Sequence, residues 1–332
     1  MLYVHILPCD VKQLNDTMQR INIIKCHGSG NDFILVDGVC REELAAVDWS
    51  RFARLACNRE SGVGSDGVLL VVRHDDGTYG MDMLNPDGTH AEMCGNGIRC
   101  VARYAHERGY IASEGVLRSG GRDYRVAQAG ETIAEGIATY AVDIDIRLWS
   151  SDFTFFEEGE SFIGENIAPL DDSLRFTALN LGNPHLVSAV DDISLERLTM
   201  LGERVLTLKE LLPNGVNVSI YRPLSSRSIF VATYERGAGI TLSCGTAMTA
   251  SATAAALIGY VERGERIEVR NRGGMVFCTT QLGQRLVTRL EGNATFEWRG
   301  YVEFGDDTFG YVVEERSGEG DVWQAFVDKL NK

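Results

Sequence analysis

The stretch Met-Cys-Gly-Asn-Gly-Ile-Arg-Cys at residues 93–100 decides the fold, because Cys-Gly-Thr at 244–246 in the second half of the chain is similar to its Cys-Gly-Asn at 94–96. Each stretch is followed by apolar residues at helical spacing, and each cysteine precedes a Gly-Tyr pair by 15 positions (109 − 94 and 259 − 244). Gly109 and Gly259 stand where a helix is expected to end. The pattern predicts two helices that begin with a cysteine, where free N–H groups and the helix dipole favour a thiolate.

Further motifs recur in the same order in both halves. Leu-Gly-Asn-Pro-His-Leu-Val at 181–187 corresponds to Ser-Gly-Asn-Asp-Phe-Ile-Leu at 29–35, and Gly-Val-Asn-Val at 215–218 corresponds to Gly-Val-Gly at 62–64. We therefore predict an internal duplication, with two copies of one α+β unit that are each a run of strands around one central helix.

Local patterns predict several elements within this repeat. We expect strand, turn and strand over 21–37, a helix over about 42–58, strands over 68–72 and 81–84, and a short helix from Asp321. Residues 1–20 form an extension whose start could be a short strand. The polar stretch 150–169 is interpreted as the link between the halves.

Composition and charge exclude several classes of protein. The chain has 332 residues with 44% apolar and 24% charged residues, which predicts a packed core, and its net charge of −15 disfavours nucleic acid and anionic membranes as partners. Asp10, Lys12 and Asp16 argue against a signal peptide, and the uncharged stretch 245–261 is too weakly apolar to span a membrane, so a buried helix is expected there. Eight cysteines that lie singly favour reduced thiols and a cytoplasmic location.

Two ligand-binding alternatives fit the spacing poorly. Residues 62–67 match G-x-G-x-x-G, but a strand follows this stretch, whereas a dinucleotide site needs a strand before it and a helix after it. His90, Cys94 and Cys100 could be drawn as a zinc cluster, yet no Cys-x-x-Cys pair is present. We expect no metal and no cofactor.

Two cysteines facing each other across a cleft between equivalent halves suit the inversion of a stereocentre. The helix N-termini would bind the carboxylate of an amino acid, with one sulfur on each face of its α-carbon. A thiolate would remove the α-proton and the opposite thiol would return one, and charge on the planar carbanion would face the helix N-termini. The alternative is that Cys94 and Cys244 are small apolar residues at helix starts.

These residues together resemble the diaminopimelate epimerase family over roughly residues 21–300. The resemblance rests on motifs in the family's order, namely His-Gly-Ser-Gly-Asn-Asp-Phe (27–33), Asn-Pro-Asp-Gly (85–88), Cys-Gly-Asn-Gly-Ile-Arg-Cys (94–100), Gly-Asn-Pro-His (182–185), Asn-Val (217–218), Tyr-Glu-Arg-Gly-Ala-Gly (234–239), Thr241 and Cys-Gly-Thr (244–246).

The resemblance implies a role for each matching residue. Cys94 and Cys244 would be the acid/base pair, with His185 near a catalytic thiol. The implied substrate contacts are the carboxylate cradle of Gly95, Asn96, Gly245 and Thr246, the amino-group neighbours Asn31 and Glu235, and the distal-end residues Asn85, Asn183, Asn217 and Arg236.

Three positions depart from the family pattern. Gly67 stands where a substrate-contacting Gln is usual, Ile240 replaces a common Glu, and Met248 stands where small residues are frequent. The thiols and the cradle are retained, so the departures bear on substrate choice. An amino-acid racemase with another substrate, such as histidine, and a non-catalytic amino-acid-binding protein are the alternatives to a diaminopimelate epimerase.

The resemblance implies the family fold, an α+β fold of two pseudosymmetric halves from an internal duplication, each a curved, mostly antiparallel sheet around a central helix. It also implies how the chain divides. The first half would comprise 21–147 together with about 291–304, and the second half 148–290, with 1–20 as an extension and 305–332 as a tail. A homodimer is common in the family, and a small amino-acid substrate is the expected partner.

Overall fold

A computed structural model describes residues 18–39, 42–305 and 308–330 of the protein. The strand predicted near the start of the chain lies outside these ranges. Within them, the elements of the first half are β1 (Gln19–Gly28), β2 (Asn31–Asp37), a 3-10 turn (Glu42–Ala46), α1 (Trp49–Ala56), β3 (Val68–Arg73), β4 (Tyr79–Leu84), β5 (His90–Ala91), α2 (Gly95–Glu107), β6 (Glu114–Ser119), β7 (Arg122–Gln128) and β8 (Thr139–Ile146).

The second half repeats this order after one short strand, and two strands and a helix complete the chain. The elements are β9 (Glu165–Ile167), β10 (Asp171–Asn180), β11 (Pro184–Ala189), α3 (Leu195–Val205), β12 (Asn217–Ser225), β13 (Ser228–Glu235), β14 (Gly239–Ile240), α4 (Gly245–Ile258), β15 (Arg266–Asn271), β16 (Gly274–Leu282), β17 (Leu286–Asn293), β18 (Thr295–Phe304), β19 (Phe309–Arg316) and α5 (Glu319–Leu330).

Strand pairing is the same in the two halves, which confirms the predicted duplication. β2 and β3 are parallel, as are β11 and β12, and β4 and β6 are parallel, as are β13 and β15. The remaining pairs within each half are antiparallel, from β1–β2 and β10–β11 to β7–β8 and β16–β17. The predicted mostly antiparallel sheets with a central helix are therefore confirmed.

The halves are joined by strands that cross between them. β8 pairs antiparallel with β17 along its whole length, from Thr139 opposite Asn293 to Ile146 opposite Leu286. The chain then returns, because β18 pairs antiparallel with β1, and β19 pairs with β18. This continuous sheet fixes the two central helices relative to each other.

The central helices α2 and α4 occupy the largest apolar core and meet at their N-termini. All residues of α4 from Gly245 to Ala256 are buried, as predicted for this uncharged stretch. A Cβ atom on Gly95 would lie 3.7 Å from the backbone carbon of Gly245, and one on Gly245 would lie 2.9 Å from Asn96 Oδ1. Glycine at both positions lets the two helix starts approach each other closely. No helix among the described residues is long and apolar enough to cross a membrane.

Both helices end where the sequence predicts. After α2, Gly109 has φ +73°, and α4 is capped by Gly259 with φ +94°, a left-handed conformation that glycine adopts without steric cost. The strands predicted over 68–72 and 81–84 correspond to β3 and β4.

Three segments differ from the sequence-based expectation. The helix expected over 42–58 is divided into a 3-10 turn and α1, because Asp48 caps α1 by accepting a hydrogen bond from the Arg51 N–H at 2.9 Å. The link expected over 150–169 carries a cluster of phenylalanines, and Phe153 is buried in the core of the second half. The C-terminal segment contains β19 in addition to the expected helix, which begins at Glu319.

Candidate active site

Cys94 and Cys244 are the N-cap residues of α2 and α4, at the point where the halves meet. Both are half-buried, whereas the residues that follow them, Gly95, Asn96, Gly245 and Thr246, are buried. The free N–H groups of two abutting helix starts thus converge on one small region between two thiols. Such a pair of N-termini is suited to bind a carboxylate.

The environment of Cys94 is built from polar neutral groups. Its Sγ lies 3.4 Å from the Gly97 N–H and 3.6 Å from Asn31 Oδ1. Asn96 Nδ2 donates to the same Asn31 oxygen at 3.2 Å. Asp66 fixes the orientation of the Asn31 amide, because its carboxylate accepts a hydrogen bond of 2.6 Å from Asn31 Nδ2. The amide oxygen of Asn31 is therefore held toward the thiol.

The environment of Cys244 contains a carboxylate. Its thiol lies 3.4 Å from Thr246 Oγ1 and interacts with Glu235, which also accepts a hydrogen bond of 2.5 Å from Thr241 Oγ1. Burial raises the pKa of Glu235 above its ordinary value. A small cavity lined by Ile240, Thr241 and Ser243 among others adjoins Cys244.

Burial raises the pKa of both thiols, and different neighbouring groups modify this effect at each of them. For Cys94 it raises the pKa to about 11, opposed by the N–H groups of Gly97 and Asn96. For Cys244, burial and the Glu235 carboxylate together raise the pKa well above its ordinary value. The two sulfurs are therefore inequivalent although the backbone around them is duplicated.

His185 lies beside the cradle rather than against a thiol in its described contacts. Its Nε2 faces Asn183 Oδ1 at 3.0 Å, and Asn183 Nδ2 lies 3.5 Å from Thr246 Oγ1. Burial lowers the pKa of His185 to about 3, assisted by the charge of Arg236. The ring is therefore neutral near pH 7. It can position Asn183, but it is not an imidazolium that could protonate a thiolate.

Asn217 and Arg236 lie together beside His185. Asn217 is opposite His185 in the parallel pairing of β11 with β12, and its Oδ1 accepts a hydrogen bond of 2.9 Å from the Arg236 N–H. The guanidinium of Arg236 donates to the Asn214 carbonyl at 2.8 Å and, among the described residues, forms no ion pair. An exposed, unpaired guanidinium held in this way can bind a carboxylate.

Asn85 is the one predicted site residue without a described contact to the others. Its Nδ2 donates to Thr89 Oγ1 at 2.9 Å within its own turn. Its assignment rests on the family motif alone.

The three departures from the family pattern are accommodated by packing. A Cβ atom on Gly67 would lie 2.7 Å from the Leu84 carbonyl oxygen, so this backbone leaves no room for a glutamine there. Met248 is buried, and its sulfur accepts a hydrogen bond from Asn271 Nδ2 at 3.0 Å. Ile240 packs against the core of the second half.

Sequence reasoning missed Asp66 and Thr241 as supports of the site. Asp66 lies in the glycine-rich stretch 62–67 and Thr241 is among the family motifs, but a carboxylate in a glycine turn and a threonine near a glutamate have no distinctive pattern.

In the part of the chain that the structure describes, no group of three or more His, Cys, Asp or Glu side chains is placed to hold a metal ion.

The geometry supports proton transfer at a carbon bearing a carboxylate. Two thiols stand at converging helix N-termini that would stabilise the negative charge of a carbanion. Among the described cysteines, all six are free.

Comparison with known proteins identifies the family. The model of a family described as diaminopimelate epimerase matches residues 23–140 and 177–297. The chain is 38% identical to a diaminopimelate epimerase of Clostridium acetobutylicum over 86% of each chain, and 35% identical to one of Bacillus cereus over 86% of this chain and 99% of that one. A crystal structure of a Bacillus anthracis phenazine biosynthesis protein of the PhzF family shares the fold, with a TM-score of 0.61 at 18% identity, over 86% of this chain and 100% of that one.

Proposed function

Since this chain belongs to the diaminopimelate epimerase family, we propose that it interconverts the LL and meso forms of 2,6-diaminopimelate, a step in the synthesis of lysine and peptidoglycan precursors. The protein is thus an isomerase that acts on an amino acid. The observation that carries the proposal is the pair of thiols at two helix N-termini whose glycines lie within contact of each other.

The proposed reaction transfers one proton off and one proton onto the α-carbon. The thiolate of one cysteine removes the α-proton, and the thiol of the other delivers a proton to the opposite face, so that the configuration inverts. The N–H groups at Gly95, Asn96, Gly245 and Thr246 would bind the reacting carboxylate and stabilise the carbanion. Each cysteine ends the turnover in the protonation state that the other had at its start.

The remaining polar groups would position the substrate. The Asn31 amide oxygen and the Glu235 carboxylate, one beside each thiol, can accept hydrogen bonds from the reacting ammonium group. Asn183, Asn217 and Arg236 would bind the distal amino-acid group, with Arg236 taking its carboxylate, and Asn85 is included on its motif. His185 would act by holding Asn183.

A comparison of substrates tests this proposal against a racemase of the same fold. We expect stereochemical turnover of LL-diaminopimelate and none above background of lysine or histidine, because neither offers a distal carboxylate to Arg236. Chiral chromatography of the reaction products measures it. Turnover of histidine in place of diaminopimelate would establish the racemase alternative, and binding of diaminopimelate without turnover would establish a binding protein.

The division of the chain and its assembly belong to the same proposal. The pairing of β18 with β1 supports placing about 291–304 with the first half, 21–147, while 148–290 forms the second. We also propose a homodimer, which is common in the family, and a cytoplasmic location, which the singly placed cysteines favour.

A further inference from the structure

Arg99 is a fully buried guanidinium inside the first half, with no exposed surface. It is the largest fully buried side chain of the described residues and lies in the second turn of α2, five positions after Cys94. A buried cation usually lies against a carboxylate, since an uncompensated charge is costly to desolvate.

The described hydrogen bonds of Arg99 all go to neutral acceptors. Nη1 donates to the Gly95 carbonyl at 2.9 Å, Nη2 to Ser29 Oγ at 3.2 Å, and Nε to the Asn293 carbonyl at 3.3 Å. Its charge interacts with the thiols of Cys100, Cys94 and Cys278, and it also acts on His27. Burial lowers the pKa of Arg99 to about 10, so the guanidinium remains charged near neutral pH.

The surrounding backbone is shaped to hold this side chain. A Cβ atom on Gly292 would lie 2.6 Å from Arg99 Cζ, and one on Gly28 would lie 2.9 Å from Nη2. Glycines in β1 and β17 therefore leave space for the guanidinium beneath the start of α2. A side chain at either position would collide with the guanidinium, so glycine at both positions keeps this space open for Arg99.

The duplicated half has a neutral group at the same place. Thr249 follows Cys244 by five positions, as Arg99 follows Cys94. Thr249 Oγ1 donates to the Gly245 carbonyl at 2.8 Å, which corresponds to the bond from Arg99 Nη1 to the Gly95 carbonyl at 2.9 Å. The hydrogen bond is thus conserved between the halves, and the positive charge is present in only one of them.

The charges around the two thiols differ accordingly. Cys94 faces the neutral Asn31 amide, with the Glu235 carboxylate and the Arg99 guanidinium as the charges that act on it. Cys244 faces Glu235 directly and Thr246, with no cation among the principal influences on it. Asp66 binds Asn31, which lies against Cys94, and its charge also acts on Glu235.

We propose that Arg99 is a positioning residue that makes Cys94 the first of the two thiols to ionise, so that the resting enzyme holds Cys94 as the base and Cys244 as the acid. The inference rests on the proposed function, since it assigns starting roles within that reaction. The positive charge of Arg99 beneath the start of α2 favours the thiolate of Cys94, and the Glu235 carboxylate beside Cys244 disfavours the thiolate there. Both effects favour ionisation of Cys94 first. After one turnover the roles are reversed, and a proton must pass from Cys94 to Cys244 before the resting state returns.

The order of ionisation can be measured on the free enzyme by alkylation. The wild-type chain is treated with iodoacetamide at several pH values between 6 and 10, and the rates of modification of the peptides containing Cys94 and Cys244 are measured by mass spectrometry. Because the rate follows the small fraction of thiolate at these pH values, we expect Cys94 to react about tenfold or more faster than Cys244, the size typical of one nearby charge. Cys26, Cys57, Cys100 and Cys278 are buried and report on folding, because they react only when the chain opens.

Variants at position 99 separate charge from packing. Arg99→Gln, which can still donate to the Gly95 carbonyl, should slow the modification of Cys94 about tenfold and leave the rate at Cys244 unchanged. Arg99→Lys, which retains the charge, should restore the wild-type rate. Thr249→Val is the matched control, since it removes the equivalent hydrogen bond without changing charge, and it should leave the order intact.

Three results would overturn the inference: a wild-type Cys244 that is modified as fast as Cys94 or faster, an Arg99→Gln chain in which Cys94 is modified at the wild-type rate, or an equal loss of rate at Cys94 in Arg99→Lys. Should Arg99→Gln unfold, as shown by alkylation of the buried cysteines, the wild-type order and Arg99→Lys decide. Alkylation needs no turnover, so failure of this inference is distinct from failure of the substrate test.

Discussion

Replacing either Cys94 or Cys244 with serine is expected to lower kcat/KM for diaminopimelate by at least about 10³-fold. A serine hydroxyl is far less acidic than a thiol, so it neither forms the base nor gives up a proton readily. Because each cysteine serves one face of the α-carbon, loss of either one stops inversion in both directions. The two variants should therefore be about equally inactive, which steady-state kinetics from LL and from meso substrate measures.

Cys57→Ala is the matched control for these variants. Cys57 is buried at the end of α1, away from both central helices, and its loss should affect stability rather than turnover. Retention of near wild-type activity in either serine variant, with circular dichroism showing a folded chain, would falsify the assignment of that cysteine.

Replacing Arg236 with methionine is expected to lower kcat/KM for diaminopimelate by about 100-fold, or about 3 kcal/mol, through the loss of a charge-assisted bond to the distal carboxylate. The effect should appear mainly in KM if the bond is equally strong in the ground and transition states. Steady-state kinetics with diaminopimelate measure it.

The control for Arg236 is Arg175→Met, which removes an exposed arginine from β10 of the same half. Its kinetics should match those of the wild type, since β10 presents this side chain to solvent away from the two thiols. Equal effects of both substitutions would mean that Arg236 acts only through the overall charge of the protein, and the distal-carboxylate role would be withdrawn.

Much of the architecture was accessible from the sequence because the duplication leaves matched signals. Cysteine, helix and Gly-Tyr recur at equal spacing, and the structure shows matched elements with the same pairing in both halves. The start of each central helix could be located because a cysteine at an N-cap precedes a glycine and an apolar stripe. The pairing of β8 with β17 could not be located, because each strand alternates in a way that fits many partners.

The structure brings several of the predicted site residues into contact, but the sequence does not show which of them meet. Asn31, Cys94 and Asn96 form a connected set, and so do Asn183, His185 and Thr246. The significance of Arg99 was hidden, because a single arginine in a helix is usually solvent-exposed. Its burial depends on Gly28 and Gly292, which come from distant strands and show no local signal.

The central claim is that two sulfurs act on opposite faces of one carbon, and early deuterium incorporation tests it most directly. The wild-type enzyme is incubated with LL-diaminopimelate in deuterated water. At low conversion the two stereoisomers are separated, and the deuterium content of each is measured by mass spectrometry. Two opposed acid/base groups predict one α-deuterium in the meso product and almost none in the recovered LL substrate. Equal deuterium content in the recovered LL substrate and the meso product, or a product without deuterium, would contradict the account.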